Sequence, residues 1–561
     1  MWGIGPSWAS VIGVWALVGG LLYGLGCLVA RGLDAPGERV PGLARFWLGW
    51  AAALAFLQIW HFWLPIDSRV QVALAPLALA GLYLDRSALR GRILGVPTAA
   101  AALAAAALAA ALWAIAAALA LHRPSNPDTC LYYLATIRWF ERYPIVPGLG
   151  NLHLRLAFNH AYYLYASLFD LGPVRGNGEH LANGLLLLGV LVPACIELVR
   201  ALRFRQFRRN SACLTIAVGG VLLDVLFSDN LPSPTADVAV TTASAVIMLL
   251  AMGPALDGDR FTAPRLRAVI VLSIAATIAK PSAVIASAPF SIFAAFEAWR
   301  SSTPGWRRTG AIAAVAAALL VVPWLIRGWV LSGYPLFPSE VGNLGLSWRI
   351  PAGVGRKEFL YERAFARLQA MNDPRGEQTW VAHWFSLEWA ENREFLLPAI
   401  SLLVAGAAAA VLAIRGRRTP AARTLVVTFA AVAFWWLLAP HPRFALPLLW
   451  VAASSTVLVA LDLSRWKETT TAAVKLALSL AVVAGALDPV GQLRISFAQG
   501  FEPPGPERFA EGRLGSGEPI HVLQGCCYDA PCVRGDPGKI YSRRPGHPEA
   551  GYCSFPGCAD E

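Results

Sequence analysis

Charge is what this sequence most lacks. Asp, Glu, Lys and Arg make up 15% of its 561 residues, against about 25% in a soluble globular domain. So few solvated groups cannot coat the three or four soluble domains that roughly 150 residues per domain would otherwise suggest. No internal repeat is present, which argues against a transporter built from duplicated halves. Gly-rich spots such as Gly148-Leu-Gly150 are turn signals and match no phosphate loop. Met1–Ser7 carries no charge and no clear small-residue cleavage site follows it. The first apolar run is therefore expected to be a retained helix, not a cleaved leader.

Long apolar runs fill the place of the missing charge. Hydrophobic residues reach 56% of the chain, and Ala99–Leu121, Val238–Met252 and Ala311–Val322 hold no charge at all. A bilayer core about 30 Å thick takes about 20 apolar residues in a helix. The pattern predicts an all-α integral membrane protein with about 14 transmembrane helices (11–14). They are expected near 8–30, 46–63, 70–84, 95–121, 180–200, 211–228, 238–256, 268–279, 282–299, 310–332, 395–414, 424–438, 444–462 and 471–490.

The net charge of +12 comes from Arg residues in short connections. That is the mark of cytoplasmic anchoring and not of nucleic-acid binding. The groups are Arg31, Arg39 and Arg45; Arg86, Arg90 and Arg92; Arg203–Arg209; Arg260–Arg267; Arg300, Arg307 and Arg308; and Arg415–Arg423. Placing all of them on one face decides two segments. Leu156–Gly172 becomes an interfacial or re-entrant piece. The stretch 268–299 becomes two short spans broken at Lys280-Pro281, where proline disfavours a continuous helix. Residues 1–491 then form the membrane domain. Large loops at 122–179 and 333–394 and a tail from 492 to 561 are expected to lie outside the cytoplasmic membrane of a bacterium. Short outer turns fall at 229–237, 280–281 and 439–443.

The cysteines agree with this orientation. Cys130, Cys526, Cys527, Cys532, Cys553 and Cys558 all fall outside, where disulfides form. Six cysteines allow 15 connectivities. The spacing Cys527-x4-Cys532 and Cys553-x4-Cys558 is not a usual zinc knuckle, and the exported face favours bridges.

Chemistry-bearing residues gather on the same face. Asp128 follows a spanning helix by about seven residues and precedes an amphipathic stretch with Tyr132, Tyr133, Ile137, Trp139 and Phe140. It can cap that stretch, or take a proton from a hydroxyl at the membrane surface. Asp229 and Asp237 bracket Asn-Leu-Pro-Ser-Pro-Thr-Ala, Lys280 sits at the break, Arg327 ends a span, and His441 and Arg443 occupy Pro440-His-Pro-Arg-Phe444. Ionisable groups at membrane depth are costly and mark function; Lys and Arg are what a lipid-linked phosphate needs. The bland alternative for the cations is snorkelling to the interface. His153, Asn159 and His160 belong to the polar part of the first loop, His153 and His160 as ligands or as plain polar groups there. Trp384 and Trp389 could stack on sugar rings.

Two resemblances follow from these residues. The elements Asp128-Thr-x-Leu-Tyr132, Pro147-Gly-Leu-Gly-Asn-Leu-His-x-Arg155, Phe158-Asn159, Ser233-Pro-x-x-Asp237, Lys280-Pro-Ser282, Ser332-Gly-Tyr-Pro-Leu-Phe-Pro338 and Pro442-Arg-Phe444 resemble those of an uncharacterised family of bacterial multi-spanning membrane proteins. More broadly, the chain resembles the GT-C superfamily of membrane glycosyltransferases. They share an acidic residue early in a first large outer loop, a helical re-entrant loop and broken short helices. That resemblance implies a polyprenyl-phosphate sugar donor, a glycan, lipid or protein acceptor, Asp128 as the base, and inversion at the anomeric carbon. Lys280, Arg443 and Arg327 would stabilise the leaving phosphate, with His441, Asp237, Asp229, Tyr132, His153 and Asn159 around the substrate. The chain departs from the common pattern in lacking an Asp-Glu pair, which leaves divalent-metal use open; no other cofactor is expected. Membrane lipid is a partner and nucleic acid is not. The competing functions are a lipid-linked sugar flippase or transporter, and an envelope polysaccharide polymerase or ligase.

Overall fold

The computed structural model describes residues 8–94, 99–204, 230–367, 380–386, 393–416, 419–463, 501, 507–524 and 531–556. The chain is mostly helical. α1 (Trp8–Leu33), α2 (Gly42–Trp60) and α3 (Ser68–Leu94) pack as a group; α4 (Ala99–Ala120) leads into the first large loop. That loop holds α5 (Leu134–Arg142) and α6 (Tyr162–Ala166) and returns through α7 (Ala182–Phe204). Then follow α8 (Ala236–Asp257), α9 (Ala263–Ala279), α10 (Val284–Arg300) and α11 (Trp306–Ser332). α12 (Val354–Ala366) lies in the second large loop, and α13 (Arg393–Ile414), α14 (Arg423–Leu438) and α15 (Leu446–Leu463) complete the helices.

Glycine lets the first group approach at backbone distance. A Cβ at Gly26 would overlap the Arg45 carbonyl, one at Gly49 the Leu22 carbonyl, and one at Gly81 the Gly24 carbonyl. Small residues at helix contacts are how membrane helices pack without a hydrophobic drive between them. α8 is apolar on every side, and its whole apolar window is buried. A helix of that kind belongs in the middle of a bundle, and α8 touches α7, α9, α10 and α15.

The expected count of about 14 spans is corrected. Among the described residues seven helices are long and apolar enough to cross a membrane: Trp8–Leu33, Gly42–Trp60, Gly178–Glu197, Ala236–Asp257, Pro281–Arg300, Trp306–Ser332 and Pro420–Leu438. Ala109–Ala120, Pro398–Ile414 and Leu448–Ala460 are shorter apolar helices. Helices stand at the other expected positions that are described; the shorter apolar stretches lie within α4, α13 and α15. α3 carries Asp85, Arg86, Arg90 and Arg92 near its end, and α9 has only 17 residues and includes Arg265 and Arg267. The expected spans 211–228 and 471–490 lie outside the described residues. The set of long apolar helices makes this a multi-pass membrane protein.

Both segments that the basic loops decided are broken helices. Residues 156–172 contain only α6, five residues long, flanked by 3-10 turns, with Tyr162, Tyr163 and Tyr165 buried. At 280 the chain leaves α9 in extended backbone (φ −156°, ψ 125°) and re-enters helix through the 3-10 turn Pro281–Ala283.

The C-terminal tail is not helical. β1 (Phe509–Arg513) pairs antiparallel with β2 (Pro519–Leu523), and β3 (Cys532–Val533) runs parallel to β2. A second small sheet pairs β4 (Tyr541–Ser542) with β5 (Tyr552–Cys553). Cys130, Cys532 and Cys553 are disulfide-bonded, whereas Cys526, Cys527 and Cys558 lie outside the described residues. The tail sits on the first large loop through Tyr552 N to Pro147 O (3.0 Å) and Arg534 N to Leu152 O (2.9 Å).

Candidate functional site

Three chain breaks build the site. The first is the start of α8, where the Thr235 hydroxyl accepts from the Asp237 backbone N–H at 3.3 Å. This places the Asp237 carboxylate in the first turn of a helix, where the aligned peptide dipoles favour negative charge. The second is the break after α9, whose extended residue sends the Lys280 ammonium onto Asp237. The third is the 3-10 turn Pro442–Phe444, held by His441 Nδ1 accepting from the Arg443 backbone N–H at 3.1 Å. Arg443 Nε donates to Asp237 Oδ2 at 2.6 Å. One buried carboxylate thus holds two cations from distant segments.

Asp128 joins this group from the first large loop. Arg443 Nη2 lies 3.9 Å from Asp128 Oδ2 and donates to the Tyr133 hydroxyl at 3.2 Å. That hydroxyl in turn donates to Asp128 Oδ2 at 3.3 Å. The capping reading of Asp128 is resolved by its neighbour. Asn126 Oδ1 accepts from the Asp128 backbone N–H at 3.0 Å, and the Asp128 side chain caps nothing. Its carboxylate is left 30% exposed on the wall of a cavity of about 590 Å³.

Arg155 also lines this cavity. Its Nε lies 3.3 Å from Glu358 Oε1, and its guanidinium also pairs with Glu362, both on α12. The rings of Phe158 and Tyr361 flank it at 5.1 and 5.5 Å, contacts of cation–π kind. Arg534, from the C-terminal tail, reaches the same cavity. Trp324, Phe337, Phe359 and Phe444 make much of the remaining lining apolar.

The other expected residues divide into those on the cavity and those behind it. Tyr132 and Asn159 line it. Asn159 donates to Trp324 O at 2.5 Å and accepts from Arg327 Nε at 3.3 Å. Arg327 itself is buried; it turns away from the cavity to His61 Nδ1 (2.7 Å) and the face of Phe140. His441 stacks on Phe365 and serves the turn below Arg443. His153 Nδ1 accepts from Arg155 N at 3.0 Å, so it shapes the turn that presents Arg155. Burial, aided by Arg534 and Arg155, holds its pKa down at about 3; burial and then Arg443 hold His441 at about 4. Both rings are neutral near pH 7. Trp384 is buried and donates to Pro440 O at 2.6 Å, a packing role and not an open sugar platform. Asp229 and Trp389 lie outside the described residues.

Several site residues carried no assigned role in the sequence. Tyr133 and Thr235 bridge Asp128 to Asp237, and Arg155 stood in a quoted motif without a role. His160, expected with His153 as a ligand or a plain polar group, lines the cavity half-buried with Nδ1 lacking a protein partner; burial and Lys280 hold it near pKa 3. Glu358, Glu362 and Arg534 gave no local signal, since each is ordinary in its own segment. Among the described residues no three His, Cys, Asp or Glu side chains gather as ligands for a metal ion.

Residues 9–450 match a domain of unknown function (DUF8201). The chain belongs to that family. No curated protein matches it, and no solved structure matches it. The matched range includes Asp128, Arg155, Asp237, Lys280, Glu362 and Arg443, and it stops before the tail that carries Arg534.

Proposed function

We propose that this chain is a GT-C-type inverting glycosyltransferase of the bacterial cytoplasmic membrane. It moves a sugar from a polyprenyl-phosphate donor to a hydroxyl acceptor on the extracytoplasmic face. The observation that carries this reading is the sharing of one cavity by an exposed carboxylate, Asp128, and two cations, Lys280 and Arg443, held by the buried Asp237. The disulfide-bonded cysteines of the loop and tail support the extracytoplasmic placement of this face.

The chemistry follows from the charges. Asp128, 3.9 Å from Arg443, accepts the proton of an acceptor hydroxyl. The acceptor oxygen forms a bond to the anomeric carbon from the side opposite the phosphate. The bond from that carbon to the phosphate oxygen breaks, and its electron pair leaves with the polyprenyl phosphate. Negative charge grows on that oxygen in the transition state. Lys280 and Arg443 meet it without reorganising, because Asp237 has already fixed them. The apolar lining accommodates the first units of the lipid.

Asp128→Asn is the test. With membranes containing the protein and a panel of polyprenyl-phosphate-linked radiolabelled sugars, transfer and release of polyprenyl phosphate are measured together. Transfer is expected to fall by about 10²–10⁴, the usual worth of a positioned base, at unchanged protein level. Wild-type rates in the variant would remove the proposal, as would proton- or sodium-coupled flux of the lipid-linked sugar without bond cleavage.

A further inference from the structure

The cavity carries cations in two places, and they are made from different parts of the chain. Lys280 and Arg443 share one carboxylate, Asp237. On the same lining, Arg155 meets two carboxylates, Glu358 and Glu362. Within the family region the first side therefore sets two cations against Asp237 and the partly exposed Asp128, and the second sets one cation against two acids. Arg534 changes that balance. It lines the same cavity as Arg155, and its charge reaches both His153, which it helps to keep neutral, and Glu358, whose burial-raised pKa it opposes. Among the described residues its guanidinium forms no ion pair.

Its position is built. The Arg534 backbone N–H donates to Leu152 O at 2.9 Å, directly after β3. Tyr552 N donates to Pro147 O, and Asn151 Nδ2 donates to Tyr552 O at 3.2 Å. The Tyr552 ring packs edge-on to Trp139, and the Arg543 guanidinium lies 4.8 Å from the Trp348 ring centroid. The tail thus grips both large loops, with disulfides at Cys532 and Cys553 and at Cys130, two residues from Asp128. These backbone anchors leave the Arg534 side chain available for the cavity.

We infer that Arg534 and Arg155 form a second anion subsite, which reads a carboxylate or phosphate beyond the donor's first phosphate. This deepens the transferase reading and rests on it. The family region carries the transfer, and the tail beyond residue 450 sets which substrates are accepted. Asp128 lies between the two sides, so the second anion falls either on an acidic acceptor or on the outer phosphate of a diphosphate donor. Both present the same chemistry to a planar guanidinium, which pairs with carboxylate and phosphate in bidentate fashion.

The experiment is equilibrium binding to the full-length protein in nanodiscs, with four probes: polyprenyl monophosphate, polyprenyl diphosphate, a glucuronic-acid-containing trisaccharide and its neutral glucose counterpart. Arg534→Gln is expected to weaken the diphosphate or the acidic trisaccharide about tenfold or more, the worth of one charge-assisted hydrogen bond. Arg534→Lys should restore part of the loss. Selective loss on the diphosphate assigns the second anion to the donor; selective loss on the acidic sugar assigns it to the acceptor. Unchanged binding of both anionic probes, or equal weakening of the monophosphate and neutral probes, overturns the subsite. Arg443→Ala with polyprenyl monophosphate reports on the donor site alone, so failure of the transferase reading is read separately.

Discussion

The two sides of the cavity use opposite charge arithmetic. On one side a single buried acid, Asp237, serves two cations; on the other a single cation, Arg155, serves two acids. The first arrangement lies deep, at the meeting of α8, the α9–α10 break and the 3-10 turn at 442. The second lies among loops, with Glu362 one-third exposed. Burial makes the difference matter. Two cations taken out of water must keep their counter-charge, because an uncompensated buried ion costs several kcal/mol. An exposed ion pair is worth about 1 kcal/mol or less. The deep side is therefore a fixed receptor for charge that arrives with a substrate. The loop side is an adjustable one, brought to two cations against two acids by a residue from outside the family region.

The largest test of that contrast is Asp237→Ala. It removes the carboxylate that Lys280 and Arg443 share and leaves Arg443 only the longer contact to Asp128, and a loss of about 3–5 kcal/mol is expected. Thermal unfolding in detergent should show a deep fall in Tm or no folded protein. A Tm close to wild type would mean that Asp237 is not the brace between the cations. Next in size is an acid effect on the loop side. His153 is held neutral with a pKa of about 3, against about 6.5 in the unfolded chain. Between those values the unfolded chain binds the extra proton, so stability is intact above about pH 6.5 and declines as pH falls toward 3. At pH 5.5 this amounts to about 1.4 kcal/mol. His153→Gln should flatten that part of the Tm-against-pH curve, and an unaltered curve would refute the assignment. Smallest is Glu362→Gln, expected to change stability by under about 1 kcal/mol. A double-mutant cycle with Arg155→Gln should find a coupling of similar size; one of several kcal/mol would make the loop side as rigid as the deep side.

Much of the architecture was legible because it rests on short-range rules. Uncharged runs read as helices, and Lys280-Pro281 read as a break because proline is disfavoured inside a helix and the basic loops needed two spans there. Counting spans was less secure. α3 and α9 are helices where apolar periodicity put them, yet Arg90 and Arg92 in one and the 17-residue length of the other keep them out of the long apolar set. The site was half legible. Asp128, Lys280 and Arg443 stood out as charges beside apolar runs, and the fold brings them together. Arg327 stood out for the same reason, but its charge is spent on His61, Asn159 and Phe140. Glu358, Glu362 and Arg534 lie in polar segments, where charge is common and carries no signal.

Residue types and their order alone determined that this chain enters a membrane many times, where its helices stop, and which ionisable groups are costly enough to mean something. Those properties depend on neighbours within a few turns. Only the tertiary structure decided which cation meets which carboxylate, because Coulomb attraction depends on distance and burial, and residues 128, 237, 280, 443 and 534 acquire their distances only when the loops and tail close over the bundle.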